Sequence, residues 1–211
     1  HYCDSPVPIF SRSDNGKLTT EWLPEDGAAR LLHQAPSRWL LQFTDGAVGW
    51  CDSQRLMKVQ AEGELGPFAE HMGRGELLDT GQGAIAEISA LAMELSGLKI
   101  PYKLGGRSLE HGLDCSALIQ HLVFKLYNRR LPRHTTDQMK VGRRVARNML
   151  SSGDLVYCRS QTMNFMHVGI MVEGEQVVHA CRHADFVVRQ PLAAFFECYR
   201  FLKARRLTRE E

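Results

Sequence analysis

The chain has 211 residues, of which 44% are hydrophobic and 24% charged, as is typical of a soluble globular protein with one large domain or two small ones. Its formal net charge of +2 is too small to indicate nucleic-acid binding, and no aromatic residues interleave with the basic runs GRRVAR and KARRLTREE. No window approaches the roughly 18 apolar residues that span a bilayer, so we expect neither a nucleic-acid partner nor a membrane span.

The six cysteines are too sparse for a disulfide scaffold and form neither a CxxC pair nor a zinc-ribbon spacing. An even number permits disulfides without requiring them, so cysteine usage leaves the redox compartment open. Because the sequence begins at His1, removal of an upstream leader is one expectation, and the compartment, cell envelope or cytoplasm, is left undecided. We expect no metal and no other cofactor.

Residues 1–60 predict a small β barrel, because short apolar runs such as VPIFS, WLLQF and VGWC alternate with turn signals. Asp45-Gly46 lies between two of these runs and predicts a hairpin. Residues 61–81 contain five glycines and one proline with no sustained periodicity, which predicts a linker. Residues 82–211 then form a second domain.

The second domain is predicted to be α+β, with helices first and an antiparallel meander afterwards. A first amphipathic helix ends at Gly97 and a second follows Cys115. The apolar positions of the first helix are Ile85, Ile88, Leu91, Ala92, Leu95 and Leu98, and those of the second are Leu118, Ile119, Leu122, Val123 and Leu126. Five strands follow, at residues 154–158, 167–172, 176–181, 186–188 and 198–202.

Cys115 lies at the predicted start of the second helix, where unpaired backbone N–H groups and the helix dipole favour a thiolate. Free cysteines are also among the most often buried residues, so a helix start does not by itself identify a nucleophile. Evidence for a nucleophile therefore requires a base elsewhere in the chain.

Two histidines supply a candidate base and a group to orient it. If residues 173–175 form a three-residue loop, position 169 faces 179, and His167 and His179 become diagonal neighbours on one sheet face. A two-residue loop would place the two rings on opposite faces. With Cys115, the pair matches the nucleophile, base and orienter of cysteine hydrolases.

Four blocks extend these observations: PYKLGGRSLEHGLDCSALIQ, LPRHTTDQ, SGDLVY and HVGIMVEGEQVVHA. In order and approximate spacing, they resemble the NlpC-type cell-wall peptidases, which are papain-like cysteine enzymes, over roughly residues 82–190. This resemblance implies a papain-like α+β domain with Cys115 as nucleophile, His167 as general base and acid, and His179 as the orienting residue.

The same resemblance implies that Tyr102 and the backbone N–H of Cys115 hold the oxyanion, and that Asp114 and Ser116 line the substrate site. Asp114 has a second interpretation, because an acid just before a helix commonly caps it. It would otherwise bind the substrate's free amino end. The chain departs from the family pattern at Ala117, where glycine is usual, and at His134-Thr135-Thr136, where Ser or Thr-Ser is frequent.

The segment WLLQFTDGAVGWCDSQRL resembles the closing hairpin of a bacterial SH3-like domain. Such a domain helps restrict the active-site cleft in some relatives, which select the free amino end of short peptides. Ala47 occupies a position where this hairpin commonly has an aromatic residue. Its presence weakens the prediction of a short-peptide substrate more than the prediction of peptidase activity.

The implied function is hydrolysis of peptidoglycan or released muropeptides at the bond between γ-D-glutamyl and a diamino acid. Alternatives are an amidase, deamidase or acyltransferase with the same Cys-His-His triad, or a non-catalytic wall-binding module. A metal-binding row of His179, Cys181 and His183 is disfavoured because no fourth ligand stands at a recognised spacing. The diamino acid, the choice between intact sacculi and short peptides, and the oligomeric state are left open.

Overall fold

The computed structural model describes residues 7–11, 16–22, 29–56 and 82–208, which form two large antiparallel sheets and a two-stranded ribbon, with helices covering the second large sheet. The predicted linker over residues 61–81 lies outside the described residues.

The N-terminal sheet contains five antiparallel strands in the order β2-β1-β5-β4-β3. Their bounds are β1 Val7–Phe10, β2 Leu18–Trp22, β3 Ala29–Gln34, β4 Arg38–Phe43 and β5 Val48–Asp52, followed by the short helix α1 Ser53–Leu56. The predicted hairpin at Asp45-Gly46 is confirmed: Gly46 has φ 79° and joins β4 to β5. A small core forms beneath the sheet from Val7, Ile9, Trp22, Leu41, Phe43 and Cys51. Its SH3-like character stays a prediction.

The second sheet contains six strands in the order β12-β11-β10-β9-β13-β8, and every neighbouring pair is antiparallel. After the two-stranded ribbon of β6 Arg107–Ser108 and β7 Gly112–Leu113, its strands are β8 Arg143–Val145, β9 Leu155–Ser160, β10 Met166–Val172, β11 Gln176–Cys181, β12 Phe186–Pro191 and β13 Tyr199–Arg206. The predicted α+β class is confirmed.

The helices cover both faces of this sheet. They are α2 Gln82–Gly97, α3 Cys115–Tyr127, α4 Thr135–Gln138 and α5 Leu192–Cys198. Alternation along β10 directs Val168 and Ile170 into the core shared with α2 and α3, and Met171 into a second core with Phe195 of α5. The prediction that Leu98 belongs to the apolar face of the first helix is wrong, because α2 ends at Gly97 and Leu98 is 62% exposed.

Candidate active site

Cys115 is the first residue of α3, as predicted, and is 7% exposed. The chain enters this helix through Gly112, whose φ of 100° favours glycine. A Cβ at residue 112 would also lie 2.8 Å from Lys103 Cβ and 3.1 Å from the Pro101 carbonyl oxygen. The tight backbone path before the helix therefore depends on this glycine.

A cavity of about 420 Å³ lies over Cys115. Tyr102 and Met166 line it from the part of the chain after residue 82, and Lys17, Leu18 and Thr19 line it from the start of β2. A cavity of similar volume, about 440 Å³, lies along α3 near His121 and Phe124, and Cys115 does not line it. The first cavity is therefore the candidate substrate groove, and both parts of the chain contribute to it.

His167 and His179 are fully buried and share a hydrogen bond of 2.8 Å between His167 Nε2 and His179 Nδ1. The register pairs Val172 with Gln176 and Ile170 with Val178, which confirms the predicted three-residue loop over 173–175. The prediction that both rings lie on one sheet face is confirmed as well.

The outer nitrogens of the pair, His167 Nδ1 and His179 Nε2, are buried without a partner of good hydrogen-bond geometry among the described residues. Burial lowers the pKa of His179 to about 4, although the Gln190 side chain on neighbouring β12 acts to raise it. Burial, with His179 nearby, also lowers the pKa of His167 well below its ordinary value. Both rings are therefore neutral at pH 7.

Aromatic side chains enclose the histidine pair. The Tyr199 ring stacks on His167 with 4.3 Å between centroids and 13° between planes. Phe195 packs edge-on against His179 at 5.0 Å, and Phe165 packs edge-on against His167 at 6.0 Å. Phe165 lies two residues before His167, whereas Tyr199 and Phe195 reach the pair only through the pairing of β9 with β13 and the placement of α5, which no local pattern indicates.

The Cys115 thiol contacts the strand that carries His167 but has no hydrogen bond to the ring. The Val168 backbone and the Thr135 side chain act to lower the pKa of the thiol, and His167 Nδ1 has no hydrogen-bond partner in the described part of the chain. Thr135 belongs to the segment that departs from the family pattern.

Burial, followed by the charge of Asp114, raises the pKa of Cys115 to about 12. The expectation of a thiolate at the helix start is therefore wrong for the free protein, because burial outweighs the helix N-terminus. The thiol is therefore neutral and packs in the core with α2 and α3, whereas the two neutral imidazoles pack against Phe195 of α5.

Asp114 caps α3, so its interpretation as a helix cap is confirmed. Oδ1 accepts hydrogen bonds from Ala117 N at 2.9 Å, Ser116 Oγ at 3.0 Å and Arg133 Nη1 at 3.0 Å. Oδ2 accepts from Arg133 Nη2 at 2.7 Å and Gly105 N at 3.0 Å. Burial acts to raise the pKa of Asp114, but Arg133 and the hydrogen bonds outweigh it and lower the pKa overall. A substrate ammonium would have to compete with this guanidinium.

Ser116 lies in the same network, since its Oγ accepts a hydrogen bond from Arg133 Nη1 at 2.7 Å. Tyr102 lies across the groove, and burial, followed by Cys115 and Asp114, raises its pKa. Its hydroxyl therefore stays protonated and able to donate a hydrogen bond. The predicted groove residues Tyr102, Asp114, Cys115 and Ser116 thus line one cavity, whereas the histidines lie behind it.

Arg133 was not predicted to be a site residue, although it lies in the segment LPRHTTDQ. It is 2% exposed, and its Nε donates to Thr20 Oγ1 of β2 at 2.7 Å. A second connection joins Asp45 of the N-terminal hairpin to Arg107 and to Gln120 of α3. The N-terminal part of the chain is therefore linked through Arg133 to the cap of α3, and directly through Asp45 to Gln120 in the middle of that helix.

Among the described residues, no group of three or more His, Cys, Asp and Glu side chains could hold a metal ion. None of the helices in these ranges has the length and hydrophobicity of a membrane-spanning segment.

The NlpC/P60 family profile matches residues 99–206. Over 105 residues the chain is 39% identical to a "Probable endopeptidase" of Haemophilus influenzae, covering 49% of this chain and 63% of that protein. Over 108 residues it is 33% identical to the Escherichia coli K12 protein named "Murein DD-endopeptidase MepS/Murein LD-carboxypeptidase", covering 51% and 56%. Over 81 residues it is 33% identical to a Bacillus subtilis "Gamma-DL-glutamyl hydrolase", covering 38% and 19%. The chain thus spans less than two thirds of each relative.

A solved structure with a similar fold is NlpC2 from Trichomonas vaginalis, at a TM-score of 0.53 and 16% identity. The likeness covers 98% of this chain and 71% of that one. It therefore extends over both sheets and concerns the fold alone.

Proposed function

Because the chain belongs to the NlpC/P60 family, we propose that it is a cysteine peptidase acting on peptidoglycan or on muropeptides released from it. Cys115 is the nucleophile, His167 the general base and acid, and His179 the orienting residue. The observation that carries the proposal is the His167–His179 hydrogen bond, next to the strand residue whose backbone contacts the Cys115 thiol. The names of the murein endopeptidase and glutamyl hydrolase relatives support the substrate class.

The position of Gln190 suggests how the protons are arranged. A Gln190 carbonyl that accepts from His179 Nε2–H leaves His179 Nδ1 with a lone pair, which then accepts from His167 Nε2–H. His167 Nδ1 is left as the basic nitrogen. As Sγ attacks the substrate carbonyl, this nitrogen takes the thiol proton, so no thiolate has to form beforehand.

In the proposed first step, a bond forms between Cys115 Sγ and the carbonyl carbon, and the carbonyl oxygen becomes an oxyanion. The Tyr102 hydroxyl and the Cys115 backbone N–H donate to it. His167 then returns its proton to the leaving amine as the C–N bond breaks, which yields an acyl-enzyme. Water attacks this thioester with His167 as base, and the acid product and the free thiol are released.

We propose the γ-D-glutamyl–diamino acid amide as the bond cleaved. The name of the Bacillus subtilis relative supports a glutamyl bond, whereas that of the Escherichia coli relative points to a D,D bond, which is the second candidate. Lys17, Leu18 and Thr19 close one side of the groove, and this supports an SH3-like N-terminal domain that restricts the cleft to short peptides.

A digest monitored by mass spectrometry tests the proposal. Intact sacculi and a free L-Ala-γ-D-Glu-diamino acid peptide are incubated with wild type and with Cys115→Ala. We expect the wild type to cut the short peptide at the glutamyl bond, and the variant to cut neither substrate. Cleavage by Cys115→Ala equal to that of the wild type would refute Cys115 as the nucleophile. A cut at a D,D bond would refute the γ-D-glutamyl–diamino acid amide as the bond cleaved. Release of ammonia from amidated peptides without peptide-bond cleavage would support the deamidase alternative.

A further inference from the structure

The strands β8, β9 and β13 carry seven arginines and lysines and no Asp or Glu. Three of these cations already have interaction partners. Arg206 forms an ion pair with Asp154, and Arg205 donates hydrogen bonds to the Met139 and Gly142 carbonyl oxygens. Arg143 has at least one polar, ring or electrostatic contact. The remaining four are exposed and have no ion pair within the described ranges: Arg144, Arg159, Arg200 and Lys203.

The strand register places these four side chains on one face of the sheet. Arg159 pairs directly with Arg200, and Lys203 pairs with Tyr157, two residues from Arg159 on β9. A β-bulge at Leu202 keeps Arg200 and Lys203 on the same side. Arg144 extends the row on edge strand β8, where it pairs with Arg205. We name Arg144, Arg159, Arg200 and Lys203 the cationic row.

The cationic row leads to the groove. Across β9 and β10, Arg159 pairs with Met166, which lines the cavity over Cys115. From Arg200 to Lys203 the strand covers about 10 Å at about 3.3 Å per residue. Among the described residues, the groove carries the further cations Lys17 and Arg182, and the one acid that lines it, Asp114, already has Arg133 as partner. The positive charge of the row therefore continues at the groove mouth.

A directly opposed Arg159–Arg200 pair is unfavourable for the isolated sheet, because like charges facing each other across strands repel. An anionic ligand would offset this repulsion. The proposed substrate provides one, because a γ-linked glutamyl residue keeps its α-carboxylate free, and a fragment with two peptide stems carries at least two such groups.

We propose that the cationic row is an accessory subsite that binds the carboxylates of a second peptide stem while the first stem occupies the groove. The inference rests on the proposed function and adds a substrate preference, among short peptides, for fragments with two stems over fragments with one. The contacts are solvent-exposed ion pairs, so they act mainly on substrate binding and weaken with salt.

The test compares Arg159→Gln/Arg200→Gln with Arg189→Gln, which removes an exposed cation from β12, the opposite edge strand of the same sheet. We expect the double variant to raise KM for a two-stem fragment about fivefold, from two exposed ion pairs of about 0.5 kcal/mol each, with kcat unchanged. The KM of the double variant for a single-stem fragment should change less than twofold. Its KM for the two-stem fragment should depend less on salt concentration than that of the wild type. Equal effects on both substrates, or an equal effect of Arg189→Gln, would overturn the proposal.

Binding separates this inference from the proposed function. A fluorescent two-stem fragment is titrated into the Cys115→Ala protein, with and without the two Arg→Gln changes, and anisotropy is recorded. Weaker binding of the substituted protein supports the subsite even if the wild type cleaves no peptide. Equal binding by both proteins rejects it even if the wild type is an active peptidase. Tighter binding of a phosphate polymer than of the two-stem fragment would also reject it.

Discussion

The Tyr199 ring lies flat against the His167 ring, and both residues are buried on the face of the sheet that α5 covers. No carboxylate partners His167 or His179 among the described residues, so the imidazolium of the proposed mechanism needs another source of stabilisation. The electron-rich face of Tyr199 provides it, since a cation over an aromatic ring gains about 0.5 to 2 kcal/mol.

We therefore expect Tyr199→Leu to lower kcat/KM about tenfold and to move the acid limb of its pH profile to lower pH. The sign follows because loss of the aromatic face disfavours the imidazolium and lowers the pKa of His167 further. Tyr199→Phe keeps the ring and should stay within twofold of wild type, and thermal melts of both variants give the stability loss. A tenfold loss with an unmoved pH limb would indicate a purely structural role.

The raised pKa of Cys115 predicts how the thiol reacts with alkylating agents. Because the thiolate fraction keeps rising below a pKa of about 12, the rate of iodoacetamide modification should increase steadily from pH 6 to pH 10. Mass spectrometry of the modified peptide measures it in a Cys198→Ser background, which removes an exposed thiol. A plateau below pH 8 would instead indicate a preformed thiolate–imidazolium pair.

Arg133 and Asp114 form a buried pair, and removal of one partner leaves an uncompensated charge. Arg133→Met should cost about 3 kcal/mol of unfolding free energy, whereas Arg133→Met/Asp114→Asn should recover part of that loss. Urea unfolding measures both. Additive losses in the double variant would show that the two groups do not interact.

The pH dependence of stability provides a separate test of this pair. Asp114 has a folded-state pKa below its ordinary value of 3.8, so its contribution is present above that pH and is lost as pH falls through the folded-state pKa. In Asp114→Asn this part of the acid-induced loss should be absent. An unchanged acid limb of unfolding free energy in the variant would contradict the lowered pKa.

Gln190 is predicted to fix the proton on His179 Nε2. Gln190→Leu removes the acceptor, so the proton of His179 no longer favours Nε2, and His167 Nδ1 is less often free to accept the thiol proton. We therefore expect kcat to fall several-fold with little change in KM. Gln190→Glu should retain activity and move the acid limb to higher pH, since a carboxylate favours protonated imidazole. An effect on KM alone would place Gln190 in substrate binding instead.

Local rules predicted much of this fold and part of the site. The length of the loop over 173–175 determines which residues of β10 and β11 face the same side of the sheet. Three residues of sequence therefore suffice to place His167 beside His179. The Asp45-Gly46 hairpin and the first residue of α3 are local in the same way.

What the sequence did not predict depends on distant parts of the chain. Arg133 reaches Asp114 from 19 positions away and Thr20 from 113, and no local pattern indicates either contact. The raised pKa of Cys115 is non-local too, because burial is a property of the assembled fold. Local sequence shows only the helix start, which favours the opposite charge state.

The hydrogen bond from Arg133 to Thr20 also has a consequence for folding cooperativity. If the N-terminal sheet separated from the rest of the chain, the buried guanidinium would lose this acceptor, and Asp45 would lose Arg107 and Gln120. Separation of the two sheets therefore raises the free energy of the one that stays folded. Denaturant should accordingly unfold both sheets in a single transition. Thr20→Val removes one of these links and should make the transition less cooperative, which tryptophan fluorescence from the N-terminal sheet and circular dichroism would detect as a larger difference between their midpoints.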